Sequence, residues 1–455
     1  MHLVIIGGSD AGTEAALRAR GTDRSLEITM LVADEFVNFS VCGLPFFLSG
    51  EVGDWRSLAH RNQAEIAALD IDVRLEHRAE AIVPERRIVQ VRHGATTAEL
   101  PYDRLVVATG ARAIRPPIRG AELEGVFVLH TMRDGIRLRE WLEHMHPATA
   151  LVLGSGYIGV ELADALTRRG IQVTLAGRSP SVLRTVDPPL GRLLRAELGR
   201  NGVEVLTDAA VGSIARVDRR LEVSIAGHRP AKVDLVVIGA GVRPDADLGA
   251  AAGAELGRDG AIHVTRAMQT SLPAVYAAGD CVETWHAILE RPAYLPLGTT
   301  SHKQGRVAGE NAAGGATSFG GSIGTQIVKV FDLAAARTGL SNAEASAAGF
   351  SPATVETAVP DHKPYYPGAS ALHIRLTGDV RSGRLLGAQI VGNWRAGVAK
   401  RIDVAATAIQ HGLAVEDVPR LDLGYTPPVG SPWDALQVAA DDWIARGRTP
   451  RGHSA

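Results

Sequence analysis

Two glycine-rich turns about 150 residues apart limit the possible folds of this chain more than any other feature. The second turn, residues 154–159, has all three glycines of a G-x-G-x-x-G fingerprint. It lies between an apolar run at 151–153 and an amphipathic segment that reaches Arg169. A strand before such a turn and a helix after it favour dinucleotide binding over a purely structural turn. The nucleotide contacts predicted here are Gly154, Gly156, Tyr157, Ile158, Gly159 and Glu161.

The first turn, residues 7–12, follows an apolar run at 3–6. Gly7 allows a tight turn and Gly12 allows close packing of helix on strand, so that the helix N-terminus can bind a pyrophosphate. Ser9 replaces the usual middle glycine, and a structural turn without a ligand is therefore the alternative. Beyond the next strand, Asp34 is the nearest acidic side chain that could meet a ribose diol. The candidate contacts of this unit are Gly7, Gly8, Gly12 and Asp34.

The strand predicted at 172–176 bears on the choice of coenzyme. It ends in Gly177-Arg178 without a carboxylate, and Arg184 is nearby. A carboxylate there would bind the 2′-hydroxyl of NAD and repel a 2′-phosphate, whereas an arginine attracts the phosphate. The sequence thus favours NADPH, with NADH possible, and Arg178 as the contact. The alternative is an ordinary solvated surface arginine.

Cys42 is one of only two cysteines in 455 residues. Pro45 suits the first turn of a helix, so Cys42 should lie at or near that helix's N-terminus, where the dipole favours a thiolate. The alternative is a small buried hydrophobic residue, and spacing alone leaves both interpretations open. Cys281 has no chemical signal of its own, and we expect it to be buried.

Charge and cysteine content narrow the class of protein. A net charge of −2 argues against nucleic acid or an anionic membrane as the main partner. Two cysteines indicate a reducing compartment. The apolar run at 3–6 leaves no room for a targeting segment, and later apolar runs are too short to span a membrane. We therefore expect a soluble, cytoplasmic protein, and the sequence predicts no metal site.

Together these motifs resemble the flavin-dependent pyridine nucleotide–disulfide oxidoreductases over nearly the whole chain. The first fingerprint, with Ala108, Thr109, Gly110 and Asp280, resembles that family's FAD site. Residues 154–161, with Gly241 closing the unit, resemble its nicotinamide site. The resemblance implies two Rossmann-like three-layer nucleotide-binding domains, as in glutathione reductase, and a C-terminal α+β dimerisation domain. The expected boundaries are 1–115 and 244–320 for the FAD domain, 116–243 for the NAD(P)H domain, 321–446 for the dimerisation domain and 447–455 for a disordered tail.

Most members of the family carry a Cys-x4-Cys pair, but here Phe47 stands five positions after Cys42, which excludes the dithiol mechanism. A single cysteine is typical of the group with coenzyme A disulfide reductases, NADH oxidases and NADH peroxidases. The segments around Tyr366 and Tyr425 are similar to those of the coenzyme A disulfide reductases, in which such tyrosines reach the partner's cysteine. That similarity implies a homodimer, with ordinary interface packing as the alternative for the tyrosines.

The chain departs from this group at several positions. Asn38 replaces the group's serine, and Val32 stands where its ribose-binding glutamate is usual. Asp10 stands where the oxidases and peroxidases place a histidine base, which counts against peroxidase chemistry because a carboxylate cannot polarise a peroxide as imidazole can. We expect no rhodanese-like domain after residue 446.

The expected function is FAD-dependent, NAD(P)H-driven reduction of a small coenzyme A-type disulfide or a persulfide. Cys42 is the expected nucleophile, resting as a mixed disulfide or sulfenate, and Tyr425 and Tyr366 are the expected proton donors. Three alternatives stay open: an NAD(P)H oxidase that works through a Cys42 sulfenate, an electron-transfer reductase for a ferredoxin or rubredoxin, and a non-catalytic flavoprotein redox sensor.

Overall fold

In a computed structural model, which describes residues 1–447, the chain forms two compact units. The first comprises residues 1–114, 128–145 and 241–322, and the second comprises 115–127, 146–240 and the chain from 323 onward. This division is coarser than the four-part division expected from the sequence, whose boundaries stay predictions. Of the expected tail, only Gly447 is described, as the last residue of a helix, and 448–455 lie outside the described residues.

A five-stranded sheet whose neighbouring strands run parallel forms the centre of the first unit. Strand β1 (His2–Ile6) lies between β2 (Glu27–Leu31) and another strand, with its residues Leu3, Val4 and Ile5 fully buried. The strand order is Val275–Ala277, Arg104–Val107, β1, β2 and Ile71–Arg74. The chain passes from β1 to β2 and Ile71–Arg74 on one side, and Arg104–Val107 is added later on the other side of β1. Such a reversal of strand order opens a ligand crevice at the carboxyl end of the strands.

Helix α1 (Asp10–Thr22) follows β1 and packs directly along the helix Gly298–Ala312. A Cβ atom on Gly305 would lie 2.3 Å from the carbonyl oxygen of Ala11, and one on Gly309 would lie 2.1 Å from that of Ala15. Two glycines one turn apart therefore let the two helix backbones touch.

The first unit contains further helices and two kinds of small sheet. Its other helices are α2 (Leu44–Ser49), Gln63–Ala67, Met132–Met145 and Asp247–Ala251, with 3₁₀ turns at Val41–Gly43 and Trp55–Leu58. An antiparallel sheet is formed by Arg78–Val83, Ile88–His93 and Thr96–Pro101. Two-stranded pairs join Ala111–Ala113 with Val242–Pro244, and Thr284–His286 with Arg291–Ala293.

The second unit repeats the nucleotide-binding arrangement. Its sheet has the order Glu204–Leu206, Gln172–Ala176, Thr149–Leu153, Leu235–Ile238 and Val126–Val128, and the first four of these strands are parallel. Helices Tyr157–Arg168 and Pro188–Arg200 follow its central strands. A small antiparallel sheet consists of Val211–Val217, Arg220–Ile225 and Ala231–Val233.

The C-terminal part of the second unit is an antiparallel sheet flanked by helices. The strands lie in the order Gln326–Val330, Leu333–Gly339, Leu385–Asn393, Ala371–Asp379 and Pro352–Pro360. The helices are Asn342–Ala347, Val398–Gln410 and Ala435–Gly447, with a 3₁₀ segment at Val415–Arg420. Strands followed by helices are the α+β arrangement that the sequence indicates for this region.

Two features of residues 1–447 bear on membrane spanning and metal binding. No helix in that range is both long and apolar enough to cross a membrane. The same residues contain no group of three or more histidine, cysteine, aspartate or glutamate side chains placed to hold a metal ion.

Candidate active site

The first glycine turn has the geometry of a pyrophosphate cradle. Gly7 has a φ of +116°, and a Cβ there would lie 2.0 Å from the carbonyl oxygen of Ala108. A Cβ on Gly12 would lie 1.9 Å from the carbonyl oxygen of Gly7, so neither position accepts a side chain. Ser9 caps α1 without a side-chain hydrogen bond to the first turn, which leaves the N–H groups there for a ligand.

Two other predicted residues lie after strands of the same sheet. Thr109 follows the strand Arg104–Val107 and donates its hydroxyl to the carbonyl oxygen of Asp245 at 2.6 Å. Asp280 follows Val275–Ala277 and accepts a 3.0 Å hydrogen bond from the hydroxyl of Ser301. Burial raises the pKa of Asp280, and Ser301 partly offsets that shift. These groups therefore share the carboxyl edge of the sheet with the glycine turn.

Asp34 and Gly241 have local contacts of their own. The carboxylate of Asp34 accepts the N–H of Phe36 at 2.9 Å, in a turn three residues past the end of β2. Gly241 has a φ of +97°, and its carbonyl oxygen accepts the N–H of Ile114 at 2.8 Å. Gly241 thus belongs to the first compact unit, beside the chain that leaves it, although the sequence places it at the close of the nicotinamide unit.

Cys42 is exposed, whereas Cys281 is fully buried. The exposure of Cys42 counts against the buried-hydrophobe alternative, and the burial of Cys281 agrees with the expectation for that residue. Cys42 lies in the 3₁₀ turn Val41–Gly43 directly before α2, and Pro45 is in the first turn of that helix, as predicted. Because α2 has only six residues, its dipole is weaker than the prediction assumed.

The backbone ties the segment that precedes Cys42 to the first glycine turn. Asn38 donates its N–H to the carbonyl oxygen of Gly8 at 2.7 Å, and its own carbonyl accepts the N–H of His60 at 2.9 Å. Asn38 is buried and has a φ of +54°, a left-handed conformation that asparagine tolerates better than most residues do. The cysteine turn is therefore anchored to the same crevice as the nucleotide-binding turn.

His302 is a neighbour of the first glycine turn that the sequence did not reveal. Its Nε2 lies 3.5 Å from Asp10 and its Nδ1 lies 3.4 Å from Glu14. Burial raises the pKa of Asp10, and the nearby His302 and His60 act in the opposite direction. His302 is 288 residues from Glu14 in the chain, so no local pattern could have brought them together.

In the second glycine turn, as in the first, two glycines have no room for a side chain. Gly154 has a φ of +112°, and a Cβ there would lie 2.3 Å from the carbonyl oxygen of Gly239. A Cβ on Gly159 would lie 1.7 Å from the carbonyl oxygen of Gly154. At Gly156, which caps the helix Tyr157–Arg168, a Cβ would meet nothing within 4 Å, which leaves room for phosphates.

Side chains around this turn differ in their electrostatic setting. Burial raises the pKa of Glu161 to about 7; Asp164 adds to the shift and Lys329 opposes it. Burial and the nearby Glu161 also raise the pKa of Tyr157. Arg178 is exposed after the strand Gln172–Ala176, and no ion pair or side-chain hydrogen bond engages it within the described part of the chain. Its guanidinium is therefore available to an anionic ligand.

The tyrosine motifs at the C-terminal end lie on exposed loops. The exposed fraction is 44% for Tyr366 and 43% for Tyr425, and it is 73% for Tyr365, which the sequence did not single out. A hydrogen bond with Tyr425 raises the pKa of Tyr365. The ring of Tyr366 instead packs edge-on against His362, with 5.8 Å between ring centroids. The structure thus pairs Tyr425 with the neighbour of the predicted tyrosine.

Comparison with known proteins gives this geometry a context. The family model described as "Pyridine nucleotide-disulphide oxidoreductase" matches residues 1–305, and the model of that family's dimerisation domain matches residues 325–435. The chain belongs to this family. It is therefore an FAD-dependent NAD(P)H oxidoreductase with a dimerisation domain, as the resemblance in the sequence predicted.

Similar proteins of the family act on sulfur. The chain is 35% identical over 439 residues to the CoA-dependent NAD(P)H sulfur oxidoreductase of Pyrococcus furiosus. The alignment covers 96% of this chain and 98% of that protein. The chain is 28% identical to the coenzyme A disulfide reductase of Staphylococcus aureus, with the same coverage. Among solved structures, the NAD-dependent persulfide reductase of A. fulgidus superposes with a TM-score of 0.94 at 37% identity, covering 98% of this chain and 83% of that one.

Proposed function

We propose that this oxidoreductase reduces a small-molecule disulfide or persulfide of the coenzyme A type, using Cys42 as its single redox-active sulfur. The observation that carries this proposal is the exposed Cys42 thiol, which follows a segment that Asn38 ties to the first glycine turn by a hydrogen bond to Gly8. Cys281, the other cysteine, is buried and cannot serve as a second exchange partner. The named activities of the similar proteins support the substrate class.

Each of the two glycine turns suits one of the two cofactors. The steric fit of the first turn and its open helix start suit FAD, held by Gly7, Gly8, Gly12, Ala108, Thr109, Gly110 and Asp280, with Asp34 as the ribose candidate. Residues 154–161 suit NAD(P)H. FAD held there would supply the redox chemistry that takes a hydride from NAD(P)H and passes the electron pair on to sulfur.

The sulfur chemistry falls to Cys42 and the tyrosines. The Cys42 thiolate attacks one sulfur of the substrate disulfide, so that a mixed disulfide forms and the other sulfur leaves as a thiolate. The hydroxyl of Tyr425 or Tyr366 of the partner subunit donates a proton to that leaving sulfur. Two electrons from NAD(P)H then cleave the mixed disulfide, which releases the second thiol and regenerates the Cys42 thiolate. One disulfide, one NAD(P)H and one proton give two thiols and one NAD(P)⁺.

Arg178 supports a preference for NADPH within this proposal. It follows the strand Gln172–Ala176, with Ser179 next and Arg184 nearby, and no carboxylate ends the strand. An engineered water-forming NADPH oxidase, 25% identical with a TM-score of 0.93, carries substitutions that include two to arginine and was solved with NADPH bound. The persulfide reductase is named as NAD-dependent, so direct measurement with both coenzymes decides the preference.

The test is an anaerobic titration of the flavin with NADPH, followed by reoxidation with a panel of disulfides, persulfide, peroxide and oxygen. Wild-type protein should be reoxidised fastest by the coenzyme A-type disulfide or persulfide. Cys42→Ser should keep its FAD and lose disulfide turnover by at least about a hundredfold, because the attacking thiolate is gone. The matched control is Cys281→Ala, which should keep turnover. Retained disulfide turnover in Cys42→Ser would refute the proposal.

An NAD(P)H oxidase is the second candidate, since a protein named NADH oxidase from Methanocaldococcus jannaschii is 31% identical to this chain. It would consume oxygen without any disulfide, through a Cys42 sulfenate. A ferredoxin or rubredoxin reductase would instead tolerate Cys42→Ser, and a redox sensor would turn over slowly with every acceptor. The same panel of acceptors separates these alternatives.

A further inference from the structure

A buried arginine joins the two loops that carry the tyrosines. We call residues 361–370 the first tyrosine loop and residues 421–434 the second. Arg401, on the helix Val398–Gln410, is 2% exposed, and its Nε donates to Asp434 of the second loop at 3.0 Å. Its Nη2 donates to the carbonyl oxygen of Asp361, in the first loop, at 2.8 Å. One buried cation thus fixes both loops to the same helix.

The first tyrosine loop starts with a buried acid–histidine pair. Asp361 accepts a 2.8 Å hydrogen bond from Nδ1 of His362, and its second oxygen accepts the N–H of Ser370 at 2.7 Å, which closes the loop. Asp361 and His362 are both buried. Within the described residues, Nε2 of His362 has no hydrogen-bond partner of normal geometry.

His362 contacts the turn that presents the tyrosines. Its ring meets that of Tyr366 edge-on at an angle of 70°, and the N–H of Tyr366 donates to the carbonyl oxygen of Lys363 at 2.9 Å. Tyr365, the adjacent residue, lies close enough to Tyr425 of the second loop for that tyrosine to raise the pKa of Tyr365. The imidazole therefore contacts one tyrosine of the turn directly, and the other is the next residue in the chain.

The charges around His362 favour its protonated form. The hydrogen bond and the charge of Asp361 raise the pKa of His362, and the backbone carbonyls of Pro367 and Tyr366 raise it further. The other charged groups nearby are Lys363, the next residue in the chain, and Arg401, which donates to the carbonyl oxygen of Asp361. Arg401 and Asp434 form an ion pair with each other, which leaves the Asp361 carboxylate to His362.

We propose that His362 is a positioning residue for the tyrosine hydroxyls that protonate the leaving thiol. The charged imidazole, held by Asp361, interacts favourably with the carbonyls of Tyr366 and Pro367, and its ring contact positions Tyr366 and with it the adjacent Tyr365. The inference rests on the proposed function, in which these tyrosines serve as proton donors. A histidine with a raised pKa is charged at low pH and neutral at high pH, so the turn is ordered below that pKa and loosens above it.

The test compares pH profiles of disulfide-driven flavin reoxidation in the stopped flow. In wild-type holoenzyme the rate should fall as pH rises through a midpoint above 6.5, the ordinary histidine value. His362→Gln should be about tenfold slower at low pH and lose that transition, because misplaced hydroxyls cost rate without changing the chemistry. Asp361→Asn should move the midpoint to lower pH. Reduction of the flavin by NADPH should be unchanged in both variants.

Two outcomes would overturn the role of His362. One is an unchanged midpoint in His362→Gln. The other is a uniform loss of rate at every pH in both variants, which is the behaviour of a merely structural group. The control His411→Gln, an exposed histidine at the end of the helix Val398–Gln410, should keep the wild-type profile.

A second measurement separates this inference from the proposed function. The chain has seven tyrosines, so NMR of tyrosine-labelled holoenzyme gives few signals, and Tyr366→Phe assigns the one of interest. The Tyr366 signal should move with pH in wild-type protein and stay fixed in His362→Gln. If Cys42→Ser still reduces disulfides, the proposed function fails while this titration continues to support the contact. A Tyr366 signal that moves alike in both proteins would overturn it.

Discussion

Glu161 lies one helical turn after the start of the helix Tyr157–Arg168. Burial at this position is the main reason why its charged form is disfavoured. Asp164 adds repulsion and Lys329 only partly compensates, which raises the pKa of Glu161 to about 7. A carboxyl with a raised pKa binds its proton more tightly in the folded protein than in the unfolded chain. Its contribution to stability is therefore complete below pH 4.5 and is lost as pH rises through about 7.

Replacing Glu161 tests this linkage. Relative to wild type, Glu161→Gln should gain roughly 2 to 3 kcal/mol of unfolding free energy between pH 4.5 and 7, since the glutamine has no charge to bury. Urea unfolding at a series of pH values measures the difference. Glu140→Gln, which alters an exposed glutamate, should follow the wild-type curve. Parallel curves for Glu161→Gln and wild type would contradict the raised pKa.

Arg178 is the residue on which the coenzyme preference depends. Arg178→Ala should raise KM for NADPH by about tenfold and leave KM for NADH nearly unchanged, because only NADPH carries the 2′-phosphate that the guanidinium binds. Steady-state kinetics with both coenzymes give the comparison. Arg195→Ala, on the exposed side of the helix Pro188–Arg200, is the matched surface control. Equal effects on the two coenzymes would remove Arg178 from the phosphate.

Helix α1 and the helix Gly298–Ala312 depend on glycine for their contact. Gly305→Ala would place a methyl group 2.3 Å from a carbonyl oxygen of α1, so the helices must separate. The variant should lose about 1 to 3 kcal/mol of stability, as overpacked sites do. Gly199→Ala is the control, because nothing lies within 4 Å of its new methyl group and alanine favours the helix by about 0.5 to 1 kcal/mol.

Unfolding by heat and by urea measures both glycine variants. A fall in stability at Gly305 together with a gain at Gly199 supports the close helix contact. Equal gains at both positions would show that the helices have room between them.

At the level of the assembled protein, the dimerisation domain indicates a homodimer, and the proposed chemistry joins Cys42 of one subunit to Tyr425 of the other. Mixed refolding or co-expression of Cys42→Ser and Tyr425→Phe subunits tests this. With random pairing, half of the dimers are mixed and each has one intact site, so activity should return to about a quarter of wild type. Each variant alone stays slow. No recovery in the mixture would place the two residues in the same subunit's site.

Sequence reasoning succeeded where a feature is local. The contacts of Gly12 with Gly7 and of Gly159 with Gly154 lie within six residues of chain, so the fingerprint states them directly. Pro45 similarly located the start of α2. Each of these features is decided by backbone sterics within one turn and needs no knowledge of the tertiary fold.

The sequence could not reveal contacts that tertiary packing creates. His302 lies near Asp10 on a helix that packs against α1 through glycine, and Tyr425 lies near Tyr365 on a loop that Arg401 binds together with the other tyrosine loop. The weak dipole of the short α2 was also hidden, since helix length depends on where the chain turns at Gly50. Partners far apart in the chain leave no periodic signal from which to predict them.

The anchoring of both tyrosine loops to Arg401 has a consequence for redesign. If only one of the two loops were replaced by a relative's loop to change the thiol acceptor, the buried guanidinium of Arg401 would lose its hydrogen bond to that loop. The free-energy cost of a buried charge without its partner can exceed the free energy that keeps the less stable parts of a domain folded. Libraries aimed at new acceptors should therefore exchange residues 361–370, 401 and 421–434 as one cassette.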